Sequence, residues 1–263
     1  MTRLKNTLTK KDLLNIYFTA GYPNLNDTSR IIEELQASGA DMIEIGIPFS
    51  DPLADGPVIQ QSSKVALENG MTLNLLFEQL KDIRKHVTIP LVLMGYFNPV
   101  LQFGVEKFCA KCKEAGIDGV IIPDLPLDEY LERYQSIFEE YELSNILLVS
   151  PGTSAERLKK IDEASNSFLY FVSSNSTTGN KNGMQESKEN YFHRIKGLNY
   201  PVLIGFGIKD RNTFEEACKY ANGAIIGTSF INAISGEGLL KEKVNTFISS
   251  IKDQAQLTHN SIL

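Results

Sequence analysis

Along this chain, short runs of apolar β-forming residues alternate with longer stretches in which apolar positions return every three or four residues. The short runs are "NIYFTAG" (15–21), "DMIEIG" (41–46), "PLVLMGYF" (90–97), "DGVIIPDL" (118–125), "NILLVS" (145–150), "FLYFVS" (168–173), "PVLIGFG" (201–207) and "GAIIG" (223–227). Between them lie amphipathic stretches such as "DTSRIIEELQASG", "LNLLFEQLKDIRKHV", "DEYLERYQSIFEEYE" and "RNTFEEACKYA". In the second of these, Leu76, Leu80, Ile83 and Val87 fall at helical spacing. Eight near-continuous apolar strands alternating with helices predict an α/β fold, a single (β/α)8 barrel of the TIM type over residues 1–263. A doubly wound open sheet is the alternative. Against it, no G-x-G-x-x-G follows the first strand, and "GFGIKD" (205–210) lacks the third glycine.

Two connections are longer than such a barrel needs. One follows the second strand (47–57), and the other, "SSNSTTGNKNGMQESKEN" (173–190), follows the sixth. Long βα loops open onto the C-terminal face, where barrel active sites lie. The second strand itself breaks its own pattern. In "IEIGIPFSDPLADGPVIQ" (43–60), Glu44 sits between Ile43 and Ile45, and the loop beyond carries Asp51 and Asp55 among Pro48, Pro52 and Pro57. A buried carboxylate is costly unless it is paired or used, and a proline-stiffened loop holds its acid in one place. Asp51, next to Pro52, reads as a turn-capping residue.

The glycines that end the seventh and eighth strands, Gly205 and Gly207 in "GFG" and Gly227 in "GTS" with Thr228 and Ser229, stand where barrels bind phosphate. Tight turns chosen for backbone freedom alone are the plainer account of them. No strand contains a lysine, which argues against a Schiff-base aldolase. His86, His193 and His259 are too scattered for a zinc triad. If carbon chemistry occurs here, carboxylates must carry it.

Composition narrows the partners. With a net charge of -6 and no dense Lys/Arg block, the chain is not built for non-specific nucleic-acid binding. Its longest apolar run falls short of a membrane span, and the basic N-terminus lacks the apolar core of a secretion signal. Cys109, Cys112 and Cys218 cannot all pair within the chain, and Cys109-Ala-Lys-Cys112 lies in a helical pattern, so reduced cysteines and a cytoplasmic location are expected.

The segment "DMIEIGIPFSDPLADGPVIQ" resembles the signature of the tryptophan synthase α subunit family. The likeness continues in order through "FTAGYP" (18–23), "MGYFNP" (94–99), "PDLP" (123–126), "LLVSPGTS" (147–154) and "GFGI" (205–208). It implies a barrel that cleaves indole-3-glycerol phosphate to indole and glyceraldehyde 3-phosphate. It also implies no cofactor in this subunit and a partner β subunit, in an α2β2 assembly, that uses pyridoxal phosphate. By the same resemblance Glu44 and Asp55 are the catalytic acids and Tyr170 stands beside Glu44. Gly179, Gly207, Gly227 and Thr228 match the phosphate site, Tyr17, Tyr96, Asp124 and Phe206 surround the indole, and Thr178 bonds Asp55 when a lid closes. The chain departs from the family twice. Ser176-Thr177-Thr178-Gly179 replaces the usual Gly-Val-Thr-Gly, and Thr228 replaces a serine. The residues alone leave two other readings open: a sugar-phosphate isomerase using paired acids, and a barrel that only activates a partner.

Overall fold

The computed structural model describes residues 2–172, 197–205 and 207–252. Among these, nine parallel strand segments form one sheet: β1 (Leu13–Thr19), β2 (Met42–Gly46), β3 (Leu91–Met94), β4 (Gly119–Ile121), β5 (Ser144–Asn145), β6 (Leu147–Val149), β7 (Leu169–Val172), β8 (Val202–Gly205) and β9 (Gly223–Ile226). Their order is β5-β4-β3-β2-β1-β9-β8-β7-β6. The two end segments are separated only by Ile146, whose N–H still bonds the Val120 carbonyl at 2.8 Å. They are halves of one stave, so the ring has the eight staves expected of a (β/α)8 barrel.

Alternation along the staves sorts the side chains. Leu13, Met42, Val92, Ile121, Phe168 and Leu203 belong to a cluster inside the ring, whereas Ile16, Ile43 and Ile45 pack outward with the helices. Every residue of β1 and β2 is buried, which is why these strands read as unbroken apolar runs. Leu4 and Leu8, in and just after the helix Arg3–Thr7, close the lower end of the interior. Arg3 ties that helix to the barrel. Its Nε donates to Asp118 Oδ1 at 3.0 Å, while Arg84 Nη2 donates to Oδ2 of the same buried carboxylate at 2.6 Å.

Two expectations need correction. The third strand does not run through Phe97: β3 ends at Met94 and Phe97 opens the helix Phe97–Phe103. Aromatic residues favour strands, but the Asp124 carboxylate accepts from the Phe97 N–H at 2.8 Å and fixes a helix start there. The stretch 73–87 is likewise not one helix, since Leu73–Leu80 gives way to a 3₁₀ turn at Ile83–Lys85, although Ile83 and Val87 remain buried. The loop after β2, residues 47–56, is long as expected. The loop expected after the sixth stave lies outside the described residues.

Candidate active site

β2 carries Glu44 into the ring because Met42, Glu44 and Gly46 share the inward face, and Glu44 is paired in register with Tyr17 of β1. Its carboxyl is wholly inaccessible to solvent. Asn15 Nδ2 donates to Oε1 at 2.6 Å. Oε2 has no hydrogen-bond partner among the described residues. Burial raises the carboxyl to about 8, against the opposing pull of the Asn15 donor. At neutral pH Glu44 is therefore mostly the neutral acid.

Tyr17 and Tyr170 reach across the same space. Both phenols are raised well above their usual value, first by burial; Asp55 follows for Tyr17 and Glu44 for Tyr170, and each feels both acids. They are neutral walls in the physiological range. The inward face leaves room for them at glycine positions. A Cβ on Gly46 would lie 2.2 Å from the Tyr17 hydroxyl oxygen, and one on Gly205 would lie 2.2 Å from that of Tyr170.

Asp55 sits above, half-buried in the loop, lining a narrow cleft with Tyr17, Phe49, Pro52, Tyr96 and Pro123. Tyr96 holds this loop: its hydroxyl donates to Asp55 Oδ2 at 3.2 Å and accepts from the Ala54 N–H at 3.0 Å, and its ring packs 5.0 Å from that of Phe49. Burial moves the Asp55 carboxyl upward and the Tyr96 hydrogen bond moves it back. Asp51 is exposed, bonded to its neighbour Ser50, as a turn residue would be.

The structure brings Glu44, Asp55, Tyr17, Tyr96 and Tyr170 together. Asp124 is at the exposed rim, where it caps the helix after β3. Gly207 follows β8 with φ +78, a conformation that suits glycine. Gly227 follows β9 with a negative φ and is glycine for a different reason, since a Cβ there would stand 3.2 Å from the Tyr17 ring. Thr228 is exposed at the start of the helix Thr228–Ile234. Thr178, Gly179 and Phe206 lie outside the described residues. The residue missed in the sequence is Asn15. Its signal was an amide on the inward row of β1, two positions before Tyr17.

The other candidates are inert. Cys109 and Cys112 are buried unpaired thiols in the helix Val105–Ala115, and burial pushes Cys109 up to about 12 and Cys112 well upward. Among the described residues no cluster could hold a metal ion, and no helix is long and apolar enough to cross a membrane.

A parallel eight-stave barrel with a buried acid on one stave and a second acid on the loop that follows it has the form of a barrel enzyme whose site lies at the C-terminal mouth. The family model for the tryptophan synthase alpha chain matches residues 4–259. The tryptophan synthase alpha chain of Flavobacterium psychrophilum is 56% identical over 254 residues, 95% of this chain and 100% of that one. Among solved structures, tryptophan synthase subunit alpha from Legionella pneumophila superposes with a TM-score of 0.87 at 34% identity, covering 99% of each chain. A tryptophan synthase complex from Pyrococcus furiosus matches with a TM-score of 0.82 at 33% identity, over 92% of this chain and 98% of that one. The chain belongs to the tryptophan synthase alpha chain family, whose members are lyases of tryptophan biosynthesis.

Proposed function

We infer that this chain cleaves indole-3-glycerol phosphate to indole and glyceraldehyde 3-phosphate, with Glu44 and Asp55 as its catalytic residues. The observation that carries the assignment is the fully buried Glu44, its Oε2 without a partner among the described residues, beside Tyr17 and Tyr170, the two phenols that Asp55 also acts on. In this retro-aldol reaction Glu44 delivers its proton to indole C3, and the ring nitrogen becomes iminium-like. Asp55 accepts the ring N–H and stabilises that charge. The side-chain hydroxyl then gives its proton to the Glu44 carboxylate as its C–O bond becomes the aldehyde. The C–C bond breaks, its electron pair returns to the ring, and Glu44 is neutral again. Two carboxyls in unequal surroundings thus take unequal parts. Tyr17, Tyr96, Tyr170 and Asp124 are assigned to the indole end, and the family likeness adds Phe206 and Thr178, which lie outside the described residues.

The test is indole release by the purified subunit, with and without a β subunit. Asp55→Asn keeps the loop's shape and removes its charge, so it should lower kcat by on the order of 10²-fold or more. Near-normal turnover by that variant would refute the role.

Gly179, Gly207, Gly227 and Thr228 form the phosphate end, where backbone donors do most of the binding. Thr228→Val should therefore weaken glycerol phosphate binding only modestly, by roughly tenfold or less. Calorimetry with no change would remove the hydroxyl from the site.

The chain pairs with a β subunit in an α2β2 assembly through the loops of this face, and pyridoxal phosphate belongs to that partner's reaction. What supports the docking face is Leu53, 91% exposed in the loop that carries Asp55, with half-exposed Leu101 on the helix after β3. Leu53→Asp should weaken co-elution with the β subunit and its activation of indole release, while leaving the free subunit's rate unchanged. Unaltered activation would move the interface elsewhere. The reduced thiols fit a cytoplasmic enzyme.

A further inference from the structure

Beneath Glu44 lies a polar side chain that the reaction as derived does not use. Asn15 is fully buried on the inward row of β1, in register with Met42 of β2 and Ile225 of β9. Its amide donates to Glu44 Oε1 at 2.6 Å, and its own Oδ1 has no partner among the described residues. Nothing in the packing requires an amide there: Leu13, Met42 and Ile225 are apolar, and a buried unpartnered carbonyl weakens the fold. The structure does give the amide one employment, which is to grip one oxygen of Glu44 and leave the other without a partner.

We propose that Asn15 is a positioning residue for the lyase reaction, holding Glu44 Oε1 as an acceptor so that the transferable proton resides on Oε2, the oxygen left for substrate. The proposal rests on the reading of Glu44 as the proton shuttle. It has two physical consequences. A carboxyl gripped at one oxygen loses its freedom to rotate, so its proton is delivered along one line. A donor aimed at the carboxylate also favours the ionised form, which limits how far burial can suppress it. The titratable groups that interact with Glu44 are Tyr17 from β1 and Tyr170 from β7, and Asp55 from the loop acts on the same two phenols. Both phenols stay neutral, and Val92 of β3 and Ile225 of β9 do not titrate. The amide is therefore the polar contact that opposes burial at Glu44.

Asn15→Leu in the full chain keeps the branched heavy-atom skeleton and removes the donor. The expected result is a kcat for indole release lowered by about tenfold with little change in KM. The basic limb of the pH profile should move upward by roughly one unit. Difference infrared spectroscopy of the Glu44 carboxyl, referenced to Glu44→Gln, should show its titration moving the same way in the absence of substrate. Thermal stability should be kept, and Asn15→Ala, which cannot clash, should repeat both shifts. A folded Asn15→Leu whose pH limb and carboxyl titration match the parent would overturn the proposal while an inactive Glu44→Gln leaves the shuttle standing. A Glu44→Gln that keeps its activity would overturn both.

Discussion

Replacing Glu44 by Gln is expected to lower indole release by about 10²-fold or more while leaving the barrel folded. Gln fills the same space and can still accept from Asn15, so the packing around it survives. It cannot donate an acidic proton to indole C3 or take one back from the side-chain hydroxyl. The parent enzyme supplies a matching pH dependence. Its first step needs the neutral acid, so turnover should fall as pH rises through about 8. The variant also predicts a stability effect with a definite sign. Glu44 is raised from 4.5 to about 8 on folding. Between those values the unfolded chain has released a proton that the folded chain keeps, so the parent loses stability as pH rises across that window. Glu44→Gln carries no such penalty, and its melting temperature relative to the parent should climb from pH 4.5 to 8. A variant that releases indole at a near-normal rate would remove Glu44 from the chemistry. A flat stability difference across the window would mean that the carboxyl is not held neutral.

The staves were legible in the sequence because strands buried on both faces leave apolar runs, and Glu44 was legible as the charge that interrupts one. Asp55 was legible from its prolines. Asn15 was not, because an amide at the edge of an apolar run looks like the end of a turn. The grip of Tyr96 on the loop was hidden by distance, since it joins residues 41 apart in the chain. The end of β3 was misread because Tyr96 and Phe97 favour strands locally, and the carboxylate that starts a helix there belongs to Asp124 in the turn after the next stave, β4. The N-terminal segment was read only for the signal it lacks. Leu4 and Leu8, four apart, in fact close the floor of the barrel. Each of these misses depends on a contact between distant segments, which spacing along one segment does not carry.

Gly205→Ala is expected to damage stability and turnover together, although it adds one methyl group. The added Cβ would lie 2.2 Å from the Tyr170 hydroxyl oxygen and 2.5 Å from the carbon that bears it. Tyr170 is 5% exposed inside the ring, and β7 and β8 are locked in register at Tyr170 and Leu203, so the ring has little room to swing. Overpacking of this kind costs about 1–3 kcal/mol. For a chain of this size that lowers the melting temperature by roughly 3–10 °C. The displaced ring moves relative to Glu44, so kcat should fall more than KM rises. Gly46→Ala repeats the experiment from the other side, where the clash is with Tyr17. Adding Tyr170→Phe to Gly205→Ala removes the nearest atom but not the ring carbon behind it, so stability should recover in part. Combining Tyr170→Phe with Gly46→Ala should bring no recovery, because that clash involves a different ring. If Gly205→Ala melts and turns over like the parent, Tyr170 does not lie across the barrel at Gly205, and the wall beside Glu44 must be formed by another group.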